Sequence, residues 1–304
     1  MIEQSLYGHL TAQEDLSPYL TKYAGKLAVF NQEAPDDTDG GWEGNTQYGR
    51  IVYAVKHVSD PQRGIITTLS VDYMCKEGDT VPEDVEPILR ALIDGYFFST
   101  EEITMSARWN SSDYFTTATE QVIGVTLIFQ LMAFPVQETT YPDPIKLLND
   151  WSNDENNGLP KILGGPVRVI GADNMPQAWK PSASEPAIYW RLGKTRQAEW
   201  IPDTYNCNWY KATIQGHILG AEIAHEVAVA RLIAQHLTIK KRLIFDDDSP
   251  LMIDSYIQVN PEADQLRVGQ LTLDATYGVL NKYQVDGSSS IRNINISRKG
   301  ETND

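Results

Sequence analysis

The sequence predicts an α+β protein of two tandem related domains, each a mostly antiparallel sheet with helices packed on one face. Three observations lead there. The chain has 304 residues, enough for two domains that each bury a core. Hydrophobic residues make up 41% and charged residues 22%, a composition that folds rather than staying disordered. Finally, the same elements recur in one order at a nearly constant offset, which sets both boundaries and topology.

Each repeat opens on a short amphipathic helix, Ile2 to Leu10 and Pro144 to Trp151. A strand and a proline-ended loop follow, LAVFNQEAP from Leu27 and RVIGADNMP from Arg168, with Pro35 and Pro176 offset by 141. IVYAV at Ile51 matches AIYWR at Ala187 at an offset of 136, tyrosine standing third in both. Next, Leu69, Val71, Tyr73 and Cys75 share one face of an alternating segment. So do Tyr210, Ala212, Ile214 and Ile218, with Lys211, Thr213, Gln215 and His217 opposite. A period of two marks half-buried antiparallel strands.

A helix comes after these strands in both repeats. Val85, Leu89, Leu92 and Tyr96 form one stripe, with Thr80 and Glu83 as a capping box and Pro87 delaying the regular helix. Ile223, Val227, Ala230, Ala234 and Leu237 form the other. A hairpin closes each repeat. The first runs Met105 to Trp109, a turn NSSD, then QVIGVTLIFQLMAF; the second runs Met252 to Val259, a turn NPEAD, then QLRVGQLTLDATYGVL. Gly124 and Gly269 match at an offset of 145. Both halves therefore read α-β-β-β-α-β-β, the first over residues 1–138, the second over 139–285, with a C-terminal tail at 286–304 that is either a free end or an arm ordered against a neighbouring subunit.

Net charge is −16, from 25 basic and 41 acidic residues, with no basic cluster. That disfavours direct nucleic-acid binding, whereas an acidic wall would repel passing phosphates. No apolar run is long enough for a membrane span, and the first residues do not read as a signal peptide, so a soluble cytoplasmic product is expected. Cys75 and Cys207 read as buried thiols. His225 and Glu226 begin HEVAVARLIAQH, but position 229, where a zinc helix needs histidine, is Val. With no phosphate loop or nucleophile elbow either, neither enzyme activity nor a cofactor or metal is expected.

The candidate contact residues lie in loops. Asp36, Asp37, Asp39 and Trp42 belong to an acidic, glycine-rich loop, and Asp246, Asp247 and Asp248 to a second acidic run. Neither has EF-hand spacing. Asn110 and Asp113 fall in the first expected hairpin turn and Pro261 in the second. Trp42, Trp179, Trp190, Trp200 and Trp209 stand near polar loops, as interface anchors or as local packing of those loops.

Taken together, LAVFNQEAP, TLSVDYMC followed by VEPILRALIDGYF, and the hairpin ending in VIGVTLIFQLMAF resemble the tail terminator (tail completion) proteins of long-tailed bacteriophages. The likeness covers Met1 to Phe134 best and reaches the second half through the repeat. It implies a structural virion protein, made in the host cytoplasm, that caps the tail tube as a ring and joins tail to head, without catalytic residues. Implied partners are further copies of the chain, as a hexamer or as a trimer with pseudo-sixfold symmetry, the tube protein, and neck, connector or sheath proteins. DNA would pass the lumen without specific binding. The family's common form has one such domain, where this chain has two. Another neck or tail component, such as a connector or tube protein, is the alternative, and a cellular enzyme with an unrecognised site is the remaining rival.

Overall fold

The computed structural model describes residues 2–44, 47–60, 64–78, 81–99, 104–117, 121–137, 141–171, 175–176, 178–199, 201, 207–262 and 269–280. In the first half, α1 (Ile2–Thr11) and a single 3-10 turn (Glu14–Leu16) precede β1 (Lys22–Tyr23), β2 (Lys26–Leu27), β3 (Val29–Asn31), β4 (Arg50–Asp60) and β5 (Gly64–Lys76). Then come α2 (Pro82–Ile93), β6 (Phe97–Ser99), β7 (Thr104–Thr117) and β8 (Val122–Phe134). The second half holds α3 (Pro144–Asn153), α4 (Leu159–Leu163), β9 (Arg168–Val169), β10 (Ala178–Trp179), β11 (Ala187–Gln197) and β12 (Cys207–Leu219). It continues with α5 (Ile223–Lys240), β13 (Arg242–Ile244), β14 (Pro250–Val259) and β15 (Leu271–Leu280).

The two large sheets run β10-β6-β7-β8-β5-β4-β3 and β13-β14-β15-β12-β11-β9. Without β10 they have one topology, each antiparallel except for a short parallel edge, β3 on β4 and β9 on β11. The duplication read from the sequence is therefore present strand for strand. The short β6 and β13 were not expected. Neither was β10, which lies in the second half of the sequence yet extends the first half's sheet by pairing with β6. The expected domain boundary falls on residues 138–140, outside the described residues, as do Trp200 and the tail at 286–304.

Inward-facing residues of each sheet and the helices above them form separate cores. Leu69, Val71 and Tyr73 pack beneath Leu6, Leu10, Val85, Leu89 and Ile93 in the first half. Ala212, Ile214 and Ile218 pack beneath Leu148, Ala230, Ile233 and Leu237 in the second. Period-two burial on the strands and three-to-four spacing on the helices bring these apolar faces together.

Register corrects several details. Val29 lies opposite Ile51 and Val169 opposite Ile188, so Ile51 corresponds to Ile188 and Tyr53 to Trp190. The tyrosine match was one residue out of step, and Tyr189 faces away from its core. Val71 faces Leu127 and its counterpart Gly216 faces Leu271, an offset of 144, so Gly124 and Gly269 are also one place apart. The turn expected at NSSD is absent, because β7 runs through it with a bulge between Trp109 and Ser111. Asn110 is the extra residue of that bulge, and Asp113 sits in mid-strand opposite Thr126. An inserted residue breaks the alternation that would otherwise mark the strand. The second hairpin does turn at Pro261.

The helices need correcting too. α2 starts at Pro82, ahead of Pro87, with Val81 rather than a capping-box threonine at its N-cap; Thr80 is outside the described residues. On α5 the buried stripe includes Ile233, while Ile223 is 65% exposed. Cys75 is buried as expected, but Cys207 is only half-buried.

Candidate interaction surfaces

The two halves meet through a third apolar cluster. Phe97, Met132 and Phe134 on the outer face of the first sheet pack against Ile170, Ala187, Tyr189 and Leu219 of the second half. Phe97 and Phe134 stack at 5.5 Å, and Phe134 meets Tyr189 edge-on at 5.2 Å. Trp179 on β10 closes the cluster at 5.5 Å from Phe97.

Beside it lies a buried ionic contact. Glu226, in the first turn of α5, has a fully buried side chain and accepts from Arg108 of β7 at 2.6 Å. The Gly220 N–H (3.0 Å) and the Gln270 side chain (3.1 Å) also donate to this carboxylate. A buried carboxylate needs such a shell, since one left without partners is costly. Gly220 is required here, because a Cβ would come within 2.7 Å of His225 Nδ1. Lys180 donates to the Ala91 carbonyl at 3.3 Å, and burial lowers its pKa.

The segment leaving β8 completes the junction. The Gln137 side-chain amide donates to the Tyr189 hydroxyl (2.8 Å) and the Trp190 carbonyl (2.9 Å), while its oxygen accepts from the Leu192 N–H at 2.9 Å. Tyr189 in turn donates to the Pro135 carbonyl at 2.8 Å. Burial raises the Tyr189 pKa, and the Gln137 bond acts against that rise. This side chain therefore occupies the open edge of β11 beyond β9, where a further strand would otherwise pair.

These contacts use unlike patches of like units. By register, the first-half counterparts of Ile170, Ala187, Tyr189 and Leu219 are Phe30, Arg50, Val52 and Met74, and none belongs to the shared cluster. The junction is thus heterologous, with one face of the first half meeting a different face of the second.

A groove repeats as well. In the first half it lies between α1 and the edge of β3, lined by Glu3, Gln4, Tyr7, Phe30, Asn31 and Tyr53, with a volume of about 770 Å³. Its second-half equivalent, between α3 and β9, is smaller at about 340 Å³, and Pro135, Val136 and Gln137 run along it. Tyr53 and Trp190 tie helix to sheet in the two copies. The Tyr53 hydroxyl donates to the Glu3 carbonyl at 2.8 Å, and Trp190 Nε1 donates to Ser152 Oγ at 2.8 Å. Burial pushes the Tyr53 phenol up to about 12.

The acidic loops have local work. Asp39 accepts from the Tyr23 hydroxyl (2.9 Å) and the Gly41 N–H (2.8 Å), and Asp37 lies 3.5 Å from Arg50. Trp42 is half-buried, packs on Tyr23 and Phe30, and donates to the Asp36 carbonyl at 3.0 Å. Local packing thus accounts for Trp42, as it does for Trp190, which is wholly buried in its own core. In the other run all three aspartates are exposed: Asp247 accepts from Ser249, Asp248 has a left-handed backbone, and Asp246 lies 3.9 Å from Lys146. Asn110 and Pro261 are exposed. No contact among the described residues joins the two acidic loops, and among those residues no group of three or more His, Cys, Asp or Glu side chains is placed to hold a metal.

Sequence reading missed Arg108, Glu226, Tyr189 and Gln137. Only Glu226 carried a signal, a carboxylate on the apolar side of a helix. No protein-family model matches the chain, and no curated protein matches it. No helix among the described residues is long and apolar enough to cross a membrane.

Proposed function

We propose that the protein is a structural ring component of a phage tail, capping the tube end and presenting a new face to the neck, and that it acts by binding rather than catalysis. The heterologous junction between two copies of one α+β unit carries this reading. Unlike surfaces that meet once can meet again, and when the rotation closes they make a ring. Three chains would supply six units, while six chains would make the ring if only one half takes part. The outer edges of β4 beyond Tyr53 and of β7 beyond Trp109, where their short neighbours end, also suit assembly. An excess of acidic residues suits a lumen along which DNA slides without sticking.

The test is electron microscopy of the purified chain with and without tail tubes. Rings that stop at one tube end are expected. Long tubes grown from this chain alone would make it a tube protein instead, and a chain indifferent to tubes would refute the reading.

A further inference from the structure

We infer that the groove of the first half receives the chain segment following β15 of a second copy, as the groove of the second half receives the segment following β8 within one chain. The two grooves are built on equivalent helices and strands. The buried set Leu6, His9 and Leu10 on α1 corresponds to Leu148, Trp151 and Ser152 on α3, so Glu3, Gln4 and Tyr7 correspond to Ile145, Lys146 and Asn149. All six line their groove. What differs is the occupant, since Pro135, Val136 and Gln137 run along one groove, where the other has only the loop after its own β3, residues 33–36, among the described residues.

The repeat identifies the missing segment. Leu127 corresponds to Leu271 and Phe129 to Leu273, and the same offset takes Val136 to Leu280 and Gln137 to Asn281. Val136 and Leu280 are both large apolar side chains left exposed, at 75% and 56%. Gln137 and Asn281 both carry a carboxamide, the group that bonds the β11 edge in the filled groove. On the open side, β3 covers β4 only at Ile51–Tyr53, leaving Val55, the counterpart of Leu192, beyond the paired stretch. The Tyr53 carbonyl already accepts from Gln32 at 2.8 Å and has a second lone pair for the incoming amide.

Charge suits the same pairing, because Lys282 follows Asn281 and the first-half groove holds Glu3, Glu33 and Asp36 against Lys26, while the second-half groove holds Asp143 and Asp150 with Lys146. Because the junction within the chain is heterologous, the segment is assigned to a neighbour, which links chains head to tail. This deepens the ring reading and rests on it.

The experiment is sedimentation of the full chain against two variants, one ending at Leu280 and one with the groove filled by Gln4→Trp. Gln4 is exposed on α1, and Glu3→Lys serves as a second groove variant should the first fold poorly. The full chain is expected to assemble, and each variant alone to sediment as a single chain with an unchanged circular dichroism spectrum. An equimolar mixture of the two should give a complex of two chains and nothing larger, because one supplies only a groove and the other only a tail. Assembly of the tail-less chain, a mixture that stays as single chains, or a full chain that never assembles would overturn the inference. Rings that persist without the tail and still cap tubes would leave the ring reading standing. Tail-dependent oligomers that ignore tubes would do the reverse.

Discussion

The two halves solve the same problem with different residues. Both hold an N-terminal helix against an equivalent sheet, but the first does so with a tyrosine bonded to a helix carbonyl and the second with a wholly buried tryptophan bonded to a serine. Where the second half has Trp151, the first has a buried histidine, His9. The second half has also taken in a piece of its neighbour, the segment ending in Gln137, while among the described residues the corresponding groove of the first is lined by its own loop, residues 33–36. One topology thus tolerates a self-contained form and a docked form, and the choice rests on a few side chains.

Trp190→Ala should break the second half most severely. It empties a large part of a closed core and removes the Ser152 bond, at a cost of about 4 kcal/mol. Thermal unfolding should then show an early transition for the second half alone, and a single sharp transition at the original temperature would refute the separation of the cores. Arg108→Ala should cost about 3 kcal/mol, because Glu226 keeps two neutral donors but loses its cation. The signature is loss of coupling, with two unfolding transitions in place of one.

Gln137→Ala should make the docked half resemble the open one. Losing its bonds to Tyr189, Trp190 and Leu192 costs about 2 kcal/mol. Amide exchange at Leu192 should accelerate while that at Ile214 in the core stays slow; unchanged exchange at Leu192 would mean that the edge is protected in another way. The smallest effect concerns His9. Burial lowers its pKa, with the bond to the Leu92 carbonyl acting in the opposite sense. Its folded pKa lies below the unfolded value near 6.5, so the unfolded chain takes up the proton first. Stability of the first half is therefore full above that pH and declines as pH falls below it. His9→Leu should flatten the slope of the first half between pH 7 and 5 in a thermal melt, while the second half keeps the component of the same sign from His236, whose pKa burial also lowers.

The fold was legible wherever burial alternates over many residues. Leu69 to Cys75 and Tyr210 to Ile218 announce paired strands because one face of each is wholly apolar. The errors came from matching residue identities instead of the inward and outward phase, as with Tyr53 and Tyr189. They came also from a bulge at Asn110 that interrupts an alternation, and from β6, β10 and β13, which are too short to show a period. The junction was hidden for another reason. Tyr189, His217 and Leu219 lie on the outward face of strands whose inner face is already apolar, and nothing local distinguishes an outward face covered by a sister domain from one covered by water. Contacts between residues more than a hundred positions apart, such as Arg108 with Glu226, leave no periodic trace at all.

The pairing of β10 with β6 has a consequence for the order in which the protein can mature. When the ribosome has made the last residue of β8, the first sheet still lacks its outermost strand, which is 45 residues away at Trp179. At roughly 5–20 residues per second, the backbone of Phe97 and Phe98 waits some 2–9 seconds for its partner. During that interval a nascent chain shows its neighbours on the same messenger a bare strand beside an apolar ring, and crowded translation would tax this protein more than its finished form suggests.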